Sequence, residues 1–356
     1  MKKHINYIDT LRLVASAFVV FMHTASGALN HDVAGHTGWY LLTAVTGIAF
    51  TAVPLFFMVS GYLLTSGEQT ASVPLLLKKR LPKLIVPLLF WSAVLIVYQL
   101  LTERNLTAGA FLERMLSAFQ KPANVAYWFL YALIGMYLIS PVLCVGLKKL
   151  DRTGERFLLA LISLSYLRSI LLILFPDFAA RYLQFRVLDY LAFFDSHLSA
   201  FILGWFLGKT EKKVPFFVLI PTALLTFAAI VAGTFVRSAA AGTFQEAFLS
   251  QSRGFEVLLA VCLFLIIKQA KLPKWWEKLA AFVAPHTFSV YLTHNICLTV
   301  LHSYRTFYSA SATILCAVCV YLFCLALALL CSKIPVLSYL ATGQKCSRPP
   351  LRKSKS

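Results

Sequence analysis

The sequence predicts an all-α polytopic membrane protein with about ten transmembrane helices and both termini in the cytosol. Three observations predict it. Of 356 residues, 59% are hydrophobic and 13% charged, whereas a soluble domain carries about 25% charged residues. Apolar runs recur along the whole chain, and no stretch between them is long enough to hold a soluble domain. Finally, the net charge of +19 is distributed unevenly among the connecting segments. With both termini in the cytosol, 23 Lys and Arg fall on the cytosolic side and 8 on the outer side; Arg12 and Arg168 lie inside spans. That asymmetry is what the positive-inside rule requires. The basic excess therefore fixes orientation rather than marking a nucleic-acid partner, and it is available to anionic lipid or an anionic cytosolic ligand.

The spans fall at about 8–29, 39–66, 84–101, 125–147, 157–175, 191–208, 214–234, 252–267, 283–302 and 311–331. Residues 1–335 make a single membrane domain and 336–356 a basic cytosolic tail. The first span, YIDTLRLVASAFVVFMHTASGAL, contains Arg12 and His23. Eleven positions are close to three helical turns, so both project from one face, roughly 16 Å apart along the axis. Asp9, Ser16, Ser26 and Asn30 lie near the same face. Lipid cannot solvate such a stripe, which must face protein or water, and ionisable groups held there point to a functional site. The plainer alternative is an Asp9–Arg12 ion pair and a hydrogen-bonded core histidine. The length of the span and its internal Arg12 and His23 argue against a cleaved signal peptide.

The second span carries AVPLFFMVSGYLL and is long enough to be tilted or broken. Ser60-Gly61 near its cytosolic end would let a helix or ligand approach closely. Lys78, Lys79, Arg80 and Lys83 cluster just before the third span. They are either a positive-inside anchor or a phosphate clamp built on charge-assisted hydrogen bonds. The fourth span opens YWFLYALIGMYLISP, where Tyr127 and Trp128 fit an aromatic belt or a wall that orients a sugar. Spans five and six carry Arg168, Asp195 and His197. Arg168 and Asp195 have opposite charge and can pair in the outer half. Span nine carries His294, at a depth comparable to His23, with Thr287 and Tyr291 near its face. His31, His36 and His302 belong to the outer loops. The last span holds four of the eight cysteines, Cys316, Cys319, Cys324 and Cys331, as small packing residues. As packing residues of an apolar span they call for neither metal nor a disulfide framework, and neither is expected. The chain has no GxSxG, HExxH or P-loop, which speaks against a Ser-type hydrolase or an ATP-driven pump.

Several of these segments together resemble one family. The chain is similar to the acyltransferase type 3 family of bacterial integral membrane proteins. The resemblance rests on Arg12-x10-His23 introduced by IDTLR, then on FFMVSGYLL, KKRLPKLIVP, YWFLYALIGMYLISP and SVYLTHNICL, in the expected order over almost the whole chain. The FLY-LIGMYLISP pattern looks most like the stand-alone branch that includes the O-acetyltransferase of enterobacterial common antigen. The resemblance implies a bacterial cytoplasmic-membrane enzyme moving an acyl group from cytosolic acetyl-CoA to a hydroxyl of a cell-surface or lipid-linked glycan. It implies His23 as the catalytic histidine and Arg12 as its basic partner. Arg80 and Lys83, with Lys79 beside them, sit where the family is thought to hold CoA phosphates. Lys83 stands where arginine is common, which trades a bidentate grip for a point charge. Under this expectation Ser60, Trp128, Tyr131, Arg168, Asp195 and His294 line the site or orient the acceptor. The alternative from another class is a proton-coupled transporter or flippase of a glycan or lipid precursor, which would use buried Asp, Arg and His equally.

Overall fold

The computed structural model describes residues 6–31, 33–67, 71–182, 197–250, 253–304, 307–344 and 346. Among them all regular structure is helical. In chain order the helices are α1 (Asn6–Leu29), α2 (Thr37–Ala49), α3 (Ala52–Thr65), α4 (Val73–Leu75), α5 (Pro82–Thr102), α6 (Ala108–Ser117), α7 (Trp128–Lys149), α8 (Arg152–Leu174), α9 (Pro176–Tyr182), α10 (His197–Lys209), α11 (Phe216–Ala241), α12 (Gly254–Gln269), α13 (Lys274–Val283), α14 (Thr287–His302), α15 (Ala310–Lys333) and α16 (Pro335–Thr342).

Among the described residues, seven helical stretches are long and apolar enough to cross a bilayer: Asn6–Leu29, Thr37–Thr65, Val73–Thr102, Val125–Lys149, Arg152–Leu174, Phe216–Ala241 and Ala310–Lys333. The other three positions expected as spans carry α10, of which 13 residues are described, and α12 and α14 of 16 residues each. At 1.5 Å per residue α12 and α14 are about 24 Å long, short of a ~30 Å hydrocarbon core. They are packed among other helices, so protein rather than lipid surrounds them. The peripheral helices behave oppositely. Leu225 and Phe217 of α11 and Val142 of α7 are largely exposed, an apolar surface that only lipid can cover favourably.

α1 sits at the centre, packed against α2, α3, α12, α13, α14 and α15. One hydrophobic core joins it to α3, α7, α10, α12 and α14 through residues such as Leu11, Phe57, Leu130, Phe201, Phe264 and Leu292. The tightest crossing is α3 against α10, and glycine makes it possible. A Cβ on Gly61 would stand 1.8 Å from the Phe201 carbonyl oxygen, and one on Gly204 1.9 Å from that of Met58. A Cβ on Gly208 would meet the Tyr62 ring at 2.0 Å. Gly204 and Gly208 are four residues apart, the small-xxx-small spacing that lets membrane helices touch backbone to backbone.

The second long stretch is broken between α2 and α3. Pro54 has no N–H to give the Phe50 carbonyl, so one helical bond is missing there. Thr51 turns its hydroxyl back to the Ile48 carbonyl at 2.6 Å. The stretch after residue 335 also differs from a free tail. α16 packs on α5, with the Trp91 indole N–H donating to the Ala341 carbonyl at 3.0 Å. Gly343 ends the helix at φ +67°. A Cβ there would stand 2.2 Å from the Lys83 carbonyl oxygen, so the chain end lies directly on the start of α5.

Candidate functional site

A cavity of about 470 Å³ lies beside the N-terminal half of α1, and its wall includes Arg12, Ser60, Arg80, Lys83, Tyr137 and Gln344. Each side chain arrives for a local reason. Arg12 belongs to the polar face of the central helix. Ser60 precedes Gly61 on α3, where α10 presses the backbone from the other side. Arg80 ends a one-turn π-helix, Leu76–Arg80, closed by the Leu81 N–H on the Leu76 carbonyl at 2.9 Å. Such wide turns are rare and concentrate at functional sites. Here Lys78 and Lys79 are exposed while Arg80 is half-buried against the cavity. Lys83 follows Pro82, which is pre-shaped for a helix start. Thr342 and Gly343 of the chain end also line the cavity. The wall therefore holds three cations and no carboxylate. Asp9 lies near Arg12 but does not line the cavity, so the cations outnumber the carboxylate and make an anion site suited to phosphate.

Further along α1, His23 meets His294 of α14, with ring centroids 5.2 Å apart and planes tilted by 43°. His294 is fully buried. Its Nδ1 lies 2.6 Å from the Tyr291 carbonyl oxygen. A carbonyl only accepts, so Nδ1 carries the proton and Nε2 presents a lone pair in the neutral ring. That Nε2 is buried without a hydrogen-bond partner among the described residues. The His23 ring is thus next to a fixed acceptor. Tyr291, 5.6 Å from His294 by ring centroids, also lines the basic cavity. A single tyrosine ring stands between the anion site and the histidine pair.

The start of α7 is tied to α14 at this depth. The Tyr127 hydroxyl donates to the Leu292 carbonyl at 2.7 Å, and the Tyr291 hydroxyl donates to the Ala126 carbonyl. Trp128, next in sequence, does not line the basic cavity. It faces a second cavity and packs on His197 with centroids 5.1 Å apart. Tyr131 lines neither; its hydroxyl donates to the Ala118 carbonyl after α6. Lys79 lines neither cavity and is exposed. Arg168 is half-buried on α8 and lines neither cavity, and its expected partner Asp195 lies outside the described residues. Ser16, expected on the stripe with Arg12, bonds instead with the Tyr321 hydroxyl of α15 at 2.9 Å.

Several residues here were not singled out from sequence. Tyr137 and Gln344 line the basic cavity, yet the first reads as one more aromatic of a membrane helix and the second as part of a tail. Glu256 of α12 is fully buried, with both carboxylate oxygens unpartnered among the described residues. An acidic residue at the edge of an apolar run was the available signal. Among the described residues, no group of three or more His, Cys, Asp or Glu side chains is arranged to hold a metal ion.

A family model described as an acyltransferase domain matches residues 5–333. No curated protein and no solved structure matches the chain.

Proposed function

The chain belongs to the acyltransferase type 3 family, and we propose that it is a membrane O-acetyltransferase that moves acetyl from cytosolic acetyl-CoA to a hydroxyl of a cell-surface or lipid-linked glycan. The observation that carries this reading is the carboxylate-free cavity of Arg12, Arg80 and Lys83, which ends at Tyr291 beside the His23–His294 pair. The basic face lies in the cytosol of a bacterial cytoplasmic membrane, with both termini on that side and ten crossings in all. Acetyl-CoA enters there. Its phosphates bind Arg80, Lys83 and Arg12, and its pantetheine arm runs along α1 toward His23. The ~16 Å between Arg12 and His23 suits such an arm.

His23 serves as general base. It takes the proton of the acceptor hydroxyl, and the oxygen attacks the thioester carbonyl. The C–S bond then breaks, the ester forms, and CoA leaves as the thiol with the proton returned by His23. In a second route His23 attacks first and carries the acetyl group as an acyl-imidazole before the hydroxyl displaces it. His294 has given its only N–H to Tyr291, so in the neutral form it has none for an oxyanion. Its role is to accept from the His23 ring and hold that ring in one tautomer and orientation.

Radiolabelled acetyl-CoA supplied to the purified protein in liposomes, with and without a cell-envelope glycan fraction, tests the proposal. Label should appear in the glycan. A carrier without acyl transfer leaves the glycan unlabelled and acetyl-CoA intact, and that result would overturn the reading. In the same assay Arg80→Ala should raise KM for acetyl-CoA by about 10–100-fold with little change in kcat. The estimate comes from losing a charge-assisted phosphate contact of about 1.5–3 kcal/mol. An unchanged KM would remove Arg80 from the donor site.

A further inference from the structure

The second cavity, of about 370 Å³, has a different chemistry from the first. It is lined by Phe50, Trp128, His197, Glu246, Ser250 and Arg253, among others. It carries both charge signs beside a hydroxyl and two aromatic side chains with a polar edge, where the charged groups of the basic cavity are all cations. Such a mixture is poorly suited to a phosphate and well suited to a ring bearing many hydroxyls. The apolar face of a pyranose can lie on an indole while Glu, Arg and Ser pair with its hydroxyls.

The position of this cavity is as informative as its lining. α7 connects the two sites: Trp128 faces the second cavity, whereas Phe129, Leu133 and Tyr137 face the first. Between them the wall is a short stack of rings. His197 lies on Phe57 with centroids 4.7 Å apart and planes within 14°, and Phe57 meets Phe129 at 4.8 Å. Phe129 meets Tyr291 at 5.4 Å, and Tyr291 adjoins His294. The reciprocal hydrogen bonds between Tyr127, Leu292, Tyr291 and Ala126 hold Trp128 at the level of the histidine pair. The cavity exists because the helix breaks before α3, which leaves Phe50 in its wall, and because Arg253 caps the start of α12 beside Glu246 and Ser250.

We propose that this second cavity is the acceptor site, and that it binds a hexopyranose unit of the glycan stacked on Trp128 and hydrogen-bonded by Glu246, Ser250 and Arg253. The proposal rests on the acetyltransferase reading above. The two substrates then occupy opposite sides of the Phe57–Phe129 partition, with the histidine pair at its Tyr291 end.

The test uses the full protein in proteoliposomes and separates donor from acceptor. Labelled acetyl-CoA binding reports the donor site. Label transferred to a titrated, detergent-extracted lipid-linked glycan fraction reports the acceptor site. Arg253→Gln is exposed and leaves the core intact; it and Trp128→Ala should each raise the half-saturating glycan concentration about tenfold or more. Acetyl-CoA affinity should stay within twofold of wild type, and Trp128→Phe should restore most of the loss. Arg80→Ala should give the reverse pattern. Half-saturating glycan within twofold of wild type for both variants would overturn the proposal, as would equal losses of donor and acceptor binding. Wild-type protein that binds acetyl-CoA but labels no glycan would overturn it too, leaving the donor site standing. Wild-type protein that does not bind acetyl-CoA would instead remove the acetyltransferase reading itself.

Discussion

Replacing His23 by alanine should lower acetyl transfer by about 10²–10⁴-fold, the range a positioned general base contributes, while acetyl-CoA binding stays near wild type. The two effects separate because the donor contacts lie elsewhere. Arg12, Arg80 and Lys83 surround the basic cavity, and the cavity wall reaches the histidine pair only through Tyr291. Alanine is the best helix former, so α1 keeps its conformation, and the central helix still packs through Leu11, Ala15 and Val19. Labelled turnover and equilibrium binding on the same preparation check both halves. A variant that transfers acetyl at the normal rate would take His23 out of the chemistry. A variant that loses donor affinity in step with rate would make it a structural residue. Hydrolysis of acetyl-CoA without glycan in wild type, absent in the variant, would favour the acyl-imidazole route over direct attack.

Gly204→Val should cause the largest loss of stability of any single change considered. Even the first added carbon would lie 1.9 Å from the Met58 carbonyl oxygen and 2.4 Å from its Cα. Backbone cannot move aside as a flexible side chain can, so α10 must withdraw from α3 along its length. Overpacking in a well-filled core costs about 1–3 kcal/mol. A backbone-on-backbone collision with a β-branched side chain belongs at or above the top of that range. The displacement would also reach the site, because Met58 is two residues from Ser60 and His197 begins α10. Gly135→Ala on α7 supplies the contrast. A Cβ there has nothing within 4 Å, and removing a helix-interior glycine should stabilise by about 0.5–1 kcal/mol. Thermal unfolding in detergent checks the pair. Gly204→Val melting with wild type would mean that the α3–α10 contact is looser than described.

Hydropathy was enough to mark the long helices, because a lipid-facing helix such as α11 must be apolar nearly all round. It was less informative about the lengths of α12 and α14, which are packed among other helices rather than facing lipid. Length alone left the second stretch either tilted or broken; it is broken, and Pro54 and Thr51 supply the cause. Arg12 and His23 were visible because charge in an apolar run has few innocent explanations. The convergence of Arg12 with Arg80 and Lys83 was not visible in spacing, since it depends on a π turn that no simple period encodes. Glu246 and Arg253 were not singled out, because only the folded chain brings them to Trp128. A tail rich in Lys and Arg hid α16, whose eight residues give too short a pattern to separate from a solvated end.

The mouth of the basic cavity is assembled from distant parts of the chain. Arg12 lies near one end of the described sequence and Thr342–Gln344 near the other, with Gly343 resting on the Lys83 backbone. Ribosomes add about 5–20 residues per second, so the two parts emerge on the order of half a minute apart. During that interval the nascent protein can insert its membrane helices while the cavity mouth is still unfinished. The anion site is therefore completed late in maturation, when α16 docks on α5.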